Sequence, residues 1–458
     1  MSTHAQTVHF VGIGGVGVSA VARVLHAQGV RVQGSDVRES QLTEALRALG
    51  IEITIGHAPD NIAGADVVVH STAVPVDNVE RIAARERGVP EAHRSDMLGR
   101  CIEGHDSVGV TGTHGKGTVS AMITHCLASA GRDPTFIIGG LLNNYGTNAR
   151  AGTGRYAVAE VDESDRSHLN LRPHHVLVNN LEVDHLNFYD GLDDIIETMA
   201  TFVRGNTNLR TLAVNWDDAG ARALAERVGR PVLRYGSQSP ELDFAARDVE
   251  DLGDRVRFTA WRGDTRLGEI TLNLPGSYNA ENAIGATAIA MGALDVPFAD
   301  VKRALESYAG LENRFTVRRA GGLTIVKDYI SHPTGMRKVL RSARKMPHDR
   351  IWCVFKPYRF TLMRYHGEEY AEVFSEADEV VITTMYAAEE RPIDGIDTPW
   401  FVDLLRGAGS SVHFVPDNPD VVPFLSENVR RGDMVLFFGG DDFFQMADAW
   451  AASIDDAP

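Results

Sequence analysis

The stretch Ser107–Leu127, "SVGVTGTHGKGTVSAMITHCL", reads as a strand, a glycine-rich loop and a helix, in that order. An apolar run ends at Thr111. Gly112, Gly115 and Gly117 punctuate the loop. Beyond it Val119, Met122, Ile123, Cys126 and Leu127 recur at helical spacing until Gly131 stops the helix. Backbone N–H groups of such a loop, with the first turn of the helix, converge on phosphate oxygens. Lys116 adds a point charge for the β- and γ-phosphates, and a neighbouring hydroxyl can hold Mg²⁺. The match to G-x-x-x-x-G-K-[ST] is imperfect: Val110 stands at the first glycine, Gly117 at the hydroxyl, and Thr118 supplies the hydroxyl one place late. The plain alternative is a glycine turn with an incidental lysine. The order of strand, loop and helix favours a nucleoside triphosphate on Gly112, Thr113, His114, Gly115, Lys116, Gly117 and Thr118.

Working outward, two downstream apolar runs end in acids. "EVDESD" carries Asp162, Glu163 and Asp165, and "EVDH" carries Glu182, Asp184 and His185. In a parallel sheet such ends share an edge with the phosphate loop, so they are candidates for a hard cation. Upstream, "VGIGGVGVSA" (Val11–Ala20) spells G-x-G-x-x-G with Gly12, Gly14 and Gly17, and Asp36 follows about 20 residues on. Taken alone, this fingerprint implies an NAD-dependent oxidoreductase. It leaves the lysine loop and the acidic ends unexplained.

The 458 residues exceed one ordinary core. Strand-and-helix series run to about Gly104, then from "VGVTGT", then from about Leu323, with a junction near Gly310 to Phe315. "RVRFTAW" and "GEITLNL" read as a hairpin within the second series. The expectation is an α/β protein of three consecutive α/β domains, 1–104, 105–312 and 313–458. Hydrophobic residues are 43% and the net charge is −17, which argues against nucleic acid or an anionic membrane as partner. No leader or membrane-length apolar run is read, and Cys101, Cys126 and Cys353 are widely spaced, so a cytoplasmic protein with reduced thiols is expected.

The segments "HFVGIGGVGVSAVARVL", "GSD", "TGTHGKGT", "AEVDESD", "NNLEVDHLNFY", "LPGSYNAENA", "NRF" and "DYISHPT" occur in the order found in Mur ligases, and the chain resembles that family along essentially its whole length. The resemblance implies a Rossmann-like UDP-binding domain, a central P-loop ATPase domain and a C-terminal Rossmann-like domain that receives an amino acid. It implies ATP-dependent amide formation through an acyl phosphate, most of all the joining of L-alanine to UDP-N-acetylmuramate in peptidoglycan synthesis. ATP, Mg²⁺, a UDP-sugar carboxylate and an amino acid are the implied cofactors and partners, on a monomer or homodimer. Carried over by position, Lys116, Glu163 and His185 are the catalytic residues, and Thr118, Glu163 and His185 hold the metal. Asn279, Asn282, Arg314 and Asp328 join the phosphate loop around ATP. Gly14, Gly15, Gly17, Asp36, Ser71 and Asn148 match the UDP-substrate pocket, and His332 and Arg359 the amino-acid site.

Departures from the family pattern gather late in the chain. Gly117 replaces a hydroxyl residue, Tyr278 a His, Lys327 an Asp, Ser331 a His and Gly335 a Glu, while Lys356 and Tyr358 are new beside the retained Arg359. Lys327 inverts a charge beside the nucleotide if it faces the site and means little if it does not. Two other readings compete: a paralogue with the same chemistry on a different acid or amine, and a catalytically silent binding protein on the ligase fold. Lys116, Glu163 and His185 argue against the latter.

Overall fold

The parallel strand Asp106–Thr111 lies between His175–Val178 and Tyr156–Glu160, near the middle of a ten-stranded sheet. The computed structural model describes residues 6–388 and 390–455, and this central sheet is the largest of its three. Its far side ends in the antiparallel pair Val256–Arg262 and Thr265–Leu272, the hairpin expected from the sequence. A five-stranded parallel sheet precedes it, with Thr7–Val11 between Arg31–Asp36 and Val67–His70. A six-stranded sheet follows, in which Leu323–Asp328, Met434–Phe438 and Ile351–Phe355 run parallel side by side. Most parallel neighbours are joined through helices, and the central strands are buried on both faces and read as apolar runs rather than alternating ones.

The helix Lys116–Ser129 differs from its expected pattern. Spacing predicts one apolar face, yet all nine residues from Val119 to Leu127 are buried. The helix is sandwiched between the central sheet and the helices Tyr278–Gly292 and Phe298–Ser307. Its polar members Ser120, Thr124 and His125 go inside with the rest. His125 bonds Tyr145 Oη at 2.6 Å and Ser307 Oγ at 3.0 Å, which satisfies its ring there.

Packing divides the molecule unevenly. A single apolar cluster joins Val8, Phe10 and Leu25 of the first sheet region to Ile137, Ala149, Val176 and Met199 of the central one. The third sheet has separate cores, Val326, Leu340, Phe355 and Phe374 on one face and Ile325, Trp352, Phe437 and Trp450 on the other. It meets the central region through polar contacts, among them Lys345 with Asp251 at 3.1 Å and two imidazoles donating to Val183 O. Polar seams part at lower cost than shared apolar cores, so the junction with the third unit is the one that costs least to open. The cysteines Cys101, Cys126 and Cys353 are buried and free, and burial pushes the thiols of Cys101 and Cys126 up to about 12. Among the described residues no helix is long and apolar enough to cross a membrane.

One buried charge anchors the first sheet. Glu80 is fully buried and accepts bonds from His9 Nε2 at 3.0 Å, Ser35 Oγ at 2.6 Å and Asn61 Nδ2 at 2.6 Å. Burial opposes its ionisation, but these bonds outweigh it and bring the carboxyl down to about 2 from 4.5. A folded-state pKa below the unfolded one stabilises above the unfolded value and loses that contribution as pH falls through the folded one. Glu80→Gln is expected to lower the unfolding free energy at pH 7 by roughly 2–3 kcal/mol. In denaturant titrations the gap to the wild type should close as pH falls from 4.5 towards 2. A gap unchanged across that window would contradict the assignment.

Candidate active site

The loop after Thr111 is held in shape from both sides. Gly115 precedes the helix at φ +80°, and a Cβ there would lie 2.5 Å from Asn179 Nδ2, so only glycine fits. The His114 N–H donates to Asn180 Oδ1 at 2.7 Å, and His114 O accepts from Asn179 Nδ2 at 2.9 Å and Asn180 Nδ2 at 3.0 Å. The network continues inward. Tyr235 Oη donates to Asn179 Oδ1 at 2.8 Å, Asn179 Nδ2 to Asn282 Oδ1 at 3.1 Å, Asn282 Nδ2 to Asn279 Oδ1 at 3.0 Å, and Asn279 Nδ2 to Pro275 O at 2.7 Å. Asn279 and Asn282, expected at the nucleotide, therefore line the cavity and also brace its loop. Asn179 and Asn180 went unread as site residues, although the "NN" ending a strand beside the loop was visible.

Lys116 Nζ donates to Gly112 O at 2.7 Å and Glu163 Oε1 at 2.9 Å, at the mouth of the loop. Burial disfavours its charge, but Glu163, Asp162 and Glu160 outweigh that and raise its pKa. Asp162 is held down to about 2: burial opposes, and Lys116 and Arg94 prevail. Glu160, a carboxylate missed by the motif reading, is pushed up, burial being the main cause. A Cβ on Gly117 would lie 3.2 Å from Glu160 Oε2 and 3.1 Å from Leu311 Cδ1. The glycine at 117 thus matches the room Glu160 takes. Thr118 lines the same cavity. Tyr189 Oη donates to Glu163 O and fixes the turn after the acidic strand.

His185 Nε2 sits 3.8 Å from Glu163 Oε1 and 3.7 Å from Asp184 Oδ2. Arg359 reaches across the seam, its Nη1 3.3 Å from both His185 Nδ1 and Asn187 Oδ1. His185 (φ +53°) and Arg359 (φ +65°) both hold left-handed backbone, a costly conformation that clusters at functional sites. Arg314 Nη1 stands 3.8 Å from Asp328 Oδ1, and Asp328 accepts the N–H groups of Phe315 and Ile330, each at 2.9 Å. His332 is buried; its Nε2 donates to Val183 O at 3.1 Å and its Nδ1 accepts from Thr334 N at 3.3 Å. It pins the seam and caps the helix Pro333–Ala343, so neither ring nitrogen offers a free N–H to an amino-acid carboxylate. That corrects the expected role of His332.

These residues line a cavity of about 1010 Å³ between the central and third sheets. From the first sheet region only Arg38 reaches its lining. Gly14, Gly15, Gly17, Asp36 and Ser71 lie elsewhere, around the ends of Thr7–Val11, Arg31–Asp36 and Val67–His70. Asp36 Oδ2 accepts the Gly14 N–H at 2.8 Å, so this acid shapes the loop. Gly15 caps the helix Val16–Ala27 without a side-chain bond, which leaves its first turn for an anion. Asn148 arrives from the central sheet and donates to Val16 O at 3.3 Å. The two glycine loops are thus separate, in regions joined by a common apolar core.

The departures now have addresses. Lys327 is buried on the far face of its strand, where Nζ pairs with Asp448 Oδ2 at 2.6 Å; Asp328, one residue on, faces the cavity. Tyr278 and Ser331 line the cavity, and a Cβ on Gly335 would meet Ile330 Cδ1 at 2.5 Å. Lys356 pairs with Asp442 beside Tyr358 and Tyr386, whose rings are 5.8 Å apart.

Comparison with known proteins identifies the family. The models "Mur ligase family, catalytic domain", "Mur ligase middle domain" and "Mur ligase, glutamate ligase domain" match residues 7–105, 110–290 and 313–440. The chain is 39% identical to a UDP-N-acetylmuramate–L-alanine ligase of Trichlorobacter lovleyi over 98% of its own length and 99% of the relative's. It is 38% identical to one of Syntrophotalea carbinolica over 97% of each. A solved UDP-N-acetylmuramate–alanine ligase of Thermotoga maritima superposes with TM-score 0.81 at 28% identity, covering 98% of this chain and 99% of that one.

The opposite faces of adjacent residues give a direct check. Lys327→Met is expected to keep kcat/KM for ATP within about threefold, and Asp328→Asn to lower it at least about tenfold. Steady-state phosphate release measures both. A tenfold loss in Lys327→Met would put that side chain back in the site.

Proposed function

The chain belongs to the Mur ligase family and is an ATP-dependent ligase that forms a carbon–nitrogen bond; from that premise we propose that its acid is UDP-N-acetylmuramate and its amine L-alanine. The observation that carries the reading is the meeting of Lys116 with the acidic strand ends in one cavity, walled on its other side by Arg314, Asp328 and Arg359. A carboxylate is a poor electrophile. Phosphorylation by ATP gives it a leaving group, after which a neutral amine can attack the acyl carbon.

In this reading the N–H groups of Gly115 to Thr118 and the Lys116 ammonium hold the triphosphate and neutralise charge in the in-line transfer. Arg314 and Asp328 grip the nucleotide from the third unit. Gly14, Gly15 and Gly17 seat the diphosphate of the UDP-sugar on the open helix start, with Ser71 and Asn148 beside it. Arg359 orients the amino-acid carboxylate, guanidinium being suited to paired bonds. The donor set fits Mg²⁺: Glu163 is a buried carboxylate whose present partner is a lysine, and Thr118 and His185 stand on the same side. These three would hold the cation, which supplies charge neutralisation on the phosphates.

A second reading keeps the chemistry and changes the amine. Lys356, Tyr358 and Tyr386, a charge and two rings on the third unit's side of the cavity, favour it. Phosphate release with UDP-N-acetylmuramate, ATP and each of twenty amino acids separates the two. The first reading expects L-alanine to stimulate most. No stimulation by alanine, with another amino acid active, would replace it by the second. Lys116→Ala should cut kcat by about a thousandfold or more whichever amine is used.

A further inference from the structure

We propose a second cation site, for a transition metal, formed by His114 Nε2, Glu182 Oε2 and His332 Nδ1 where the phosphate loop meets the third unit. These atoms lie within 4.8 Å of one another, with His114 Nε2 3.6 Å and His332 Nδ1 3.9 Å from Glu182 Oε2. None belongs to the Thr118, Glu163 and His185 set, so the site does not depend on the function proposed above.

Three features mark it as built to receive a cation. His114 Nε2 is buried, makes no hydrogen bond within normal reach, and faces Glu182 Oε2 across 3.6 Å, a gap that a cation between them would close. His332 donates from Nε2 to Val183 O, which fixes the tautomer that turns the Nδ1 lone pair inward. That is the way metal-bound imidazoles are usually held, through a carbonyl on the other nitrogen. Coordination there would take the place of the weak bond that Nδ1 accepts from Thr334 N at 3.3 Å. Burial, followed by the neighbouring His114, brings His332 down to about 4, so the ring is neutral at pH 7. Glu182 is held down to about 2, against the effect of burial, so the carboxylate is ionised.

Two imidazoles and one carboxylate select Zn²⁺, Co²⁺ or Ni²⁺ over Mg²⁺. Metal bonds of about 2.0–2.2 Å would draw the three groups together by modest side-chain shifts. All three residues line the large cavity, which leaves room for a further ligand. His114 belongs to the phosphate loop and His332 starts a helix of the third unit, so a bound cation cross-links two bodies that otherwise share a polar seam.

The test uses the full chain, stripped of metal and free of nucleotide, with Zn²⁺ titrated against a chromophoric chelator. One Zn²⁺ per chain is expected. Glu182→Gln should weaken it about 10–100-fold, as should His332→Asn, which keeps an acceptor for the helix cap. Glu163→Gln should bind Zn²⁺ as the wild type does. Far-ultraviolet circular dichroism checks that each variant is folded, and either one of the first two suffices. Absence of tight Zn²⁺ binding, or binding untouched by Glu182→Gln or His332→Asn in a folded variant, would overturn the proposal. Loss in Glu163→Gln would move the cation to the other set.

Discussion

A part-buried ammonium held between a loop carbonyl and a carboxylate organises this protein. Lys116 Nζ has Gly112 O at 2.7 Å and Glu163 Oε1 at 2.9 Å, with Asp162 and Glu160 close enough to raise its pKa. Lys116, with Arg94 beside Asp162, faces three acids in a poorly solvated place, which leaves a local surplus of acidic groups. Desolvated charge of that kind is tolerated where its balance is a working part of a site. A divalent cation would correct the surplus, and a triphosphate would give Lys116 a second partner. The constraint reaches further than the pair itself. The loop can present its N–H groups only in one shape, and that shape is braced by the amides of Asn179, Asn180, Asn279 and Asn282.

The same backbone chemistry is used twice with different consequences. Both glycine loops end a parallel strand and open a helix. Only the second has a lysine, acidic neighbours and a wall contributed by another unit. The first is bound to the central region through a common apolar core and keeps its helix start open. The third unit keeps cores of its own, so the cavity wall it supplies is not tied into the apolar core that carries the first loop.

Much of this was legible in the residues. The order of strand, loop and helix placed the glycine loop at the head of its helix. Acids ending two apolar runs, Asp162, Glu182 and Asp184, reach the same cavity, since parallel strands deliver their ends to one edge. The hairpin followed from turn residues between alternating runs. Lys327 could have been resolved too: with Asp328 at the site, the strand period of two turns Lys327 to the other face. The role of His332 was not legible, because its ring partners, Val183 O and Thr334 N, depend on how two units dock and on where a helix begins. Glu160 was hidden for a related reason. Its meaning lies in the empty space at Gly117, and a missing side chain announces nothing about what fills its place.

The account centres on a carboxylate activated by ATP in the cavity between the central and third units. Its most direct test is isotopic. UDP-N-acetylmuramate labelled with ¹⁸O in both carboxylate oxygens is turned over with ATP and alanine, and the released phosphate is analysed by mass. An acyl-phosphate route carries one ¹⁸O into each phosphate formed. Phosphate free of label, with amide product still formed, would contradict it.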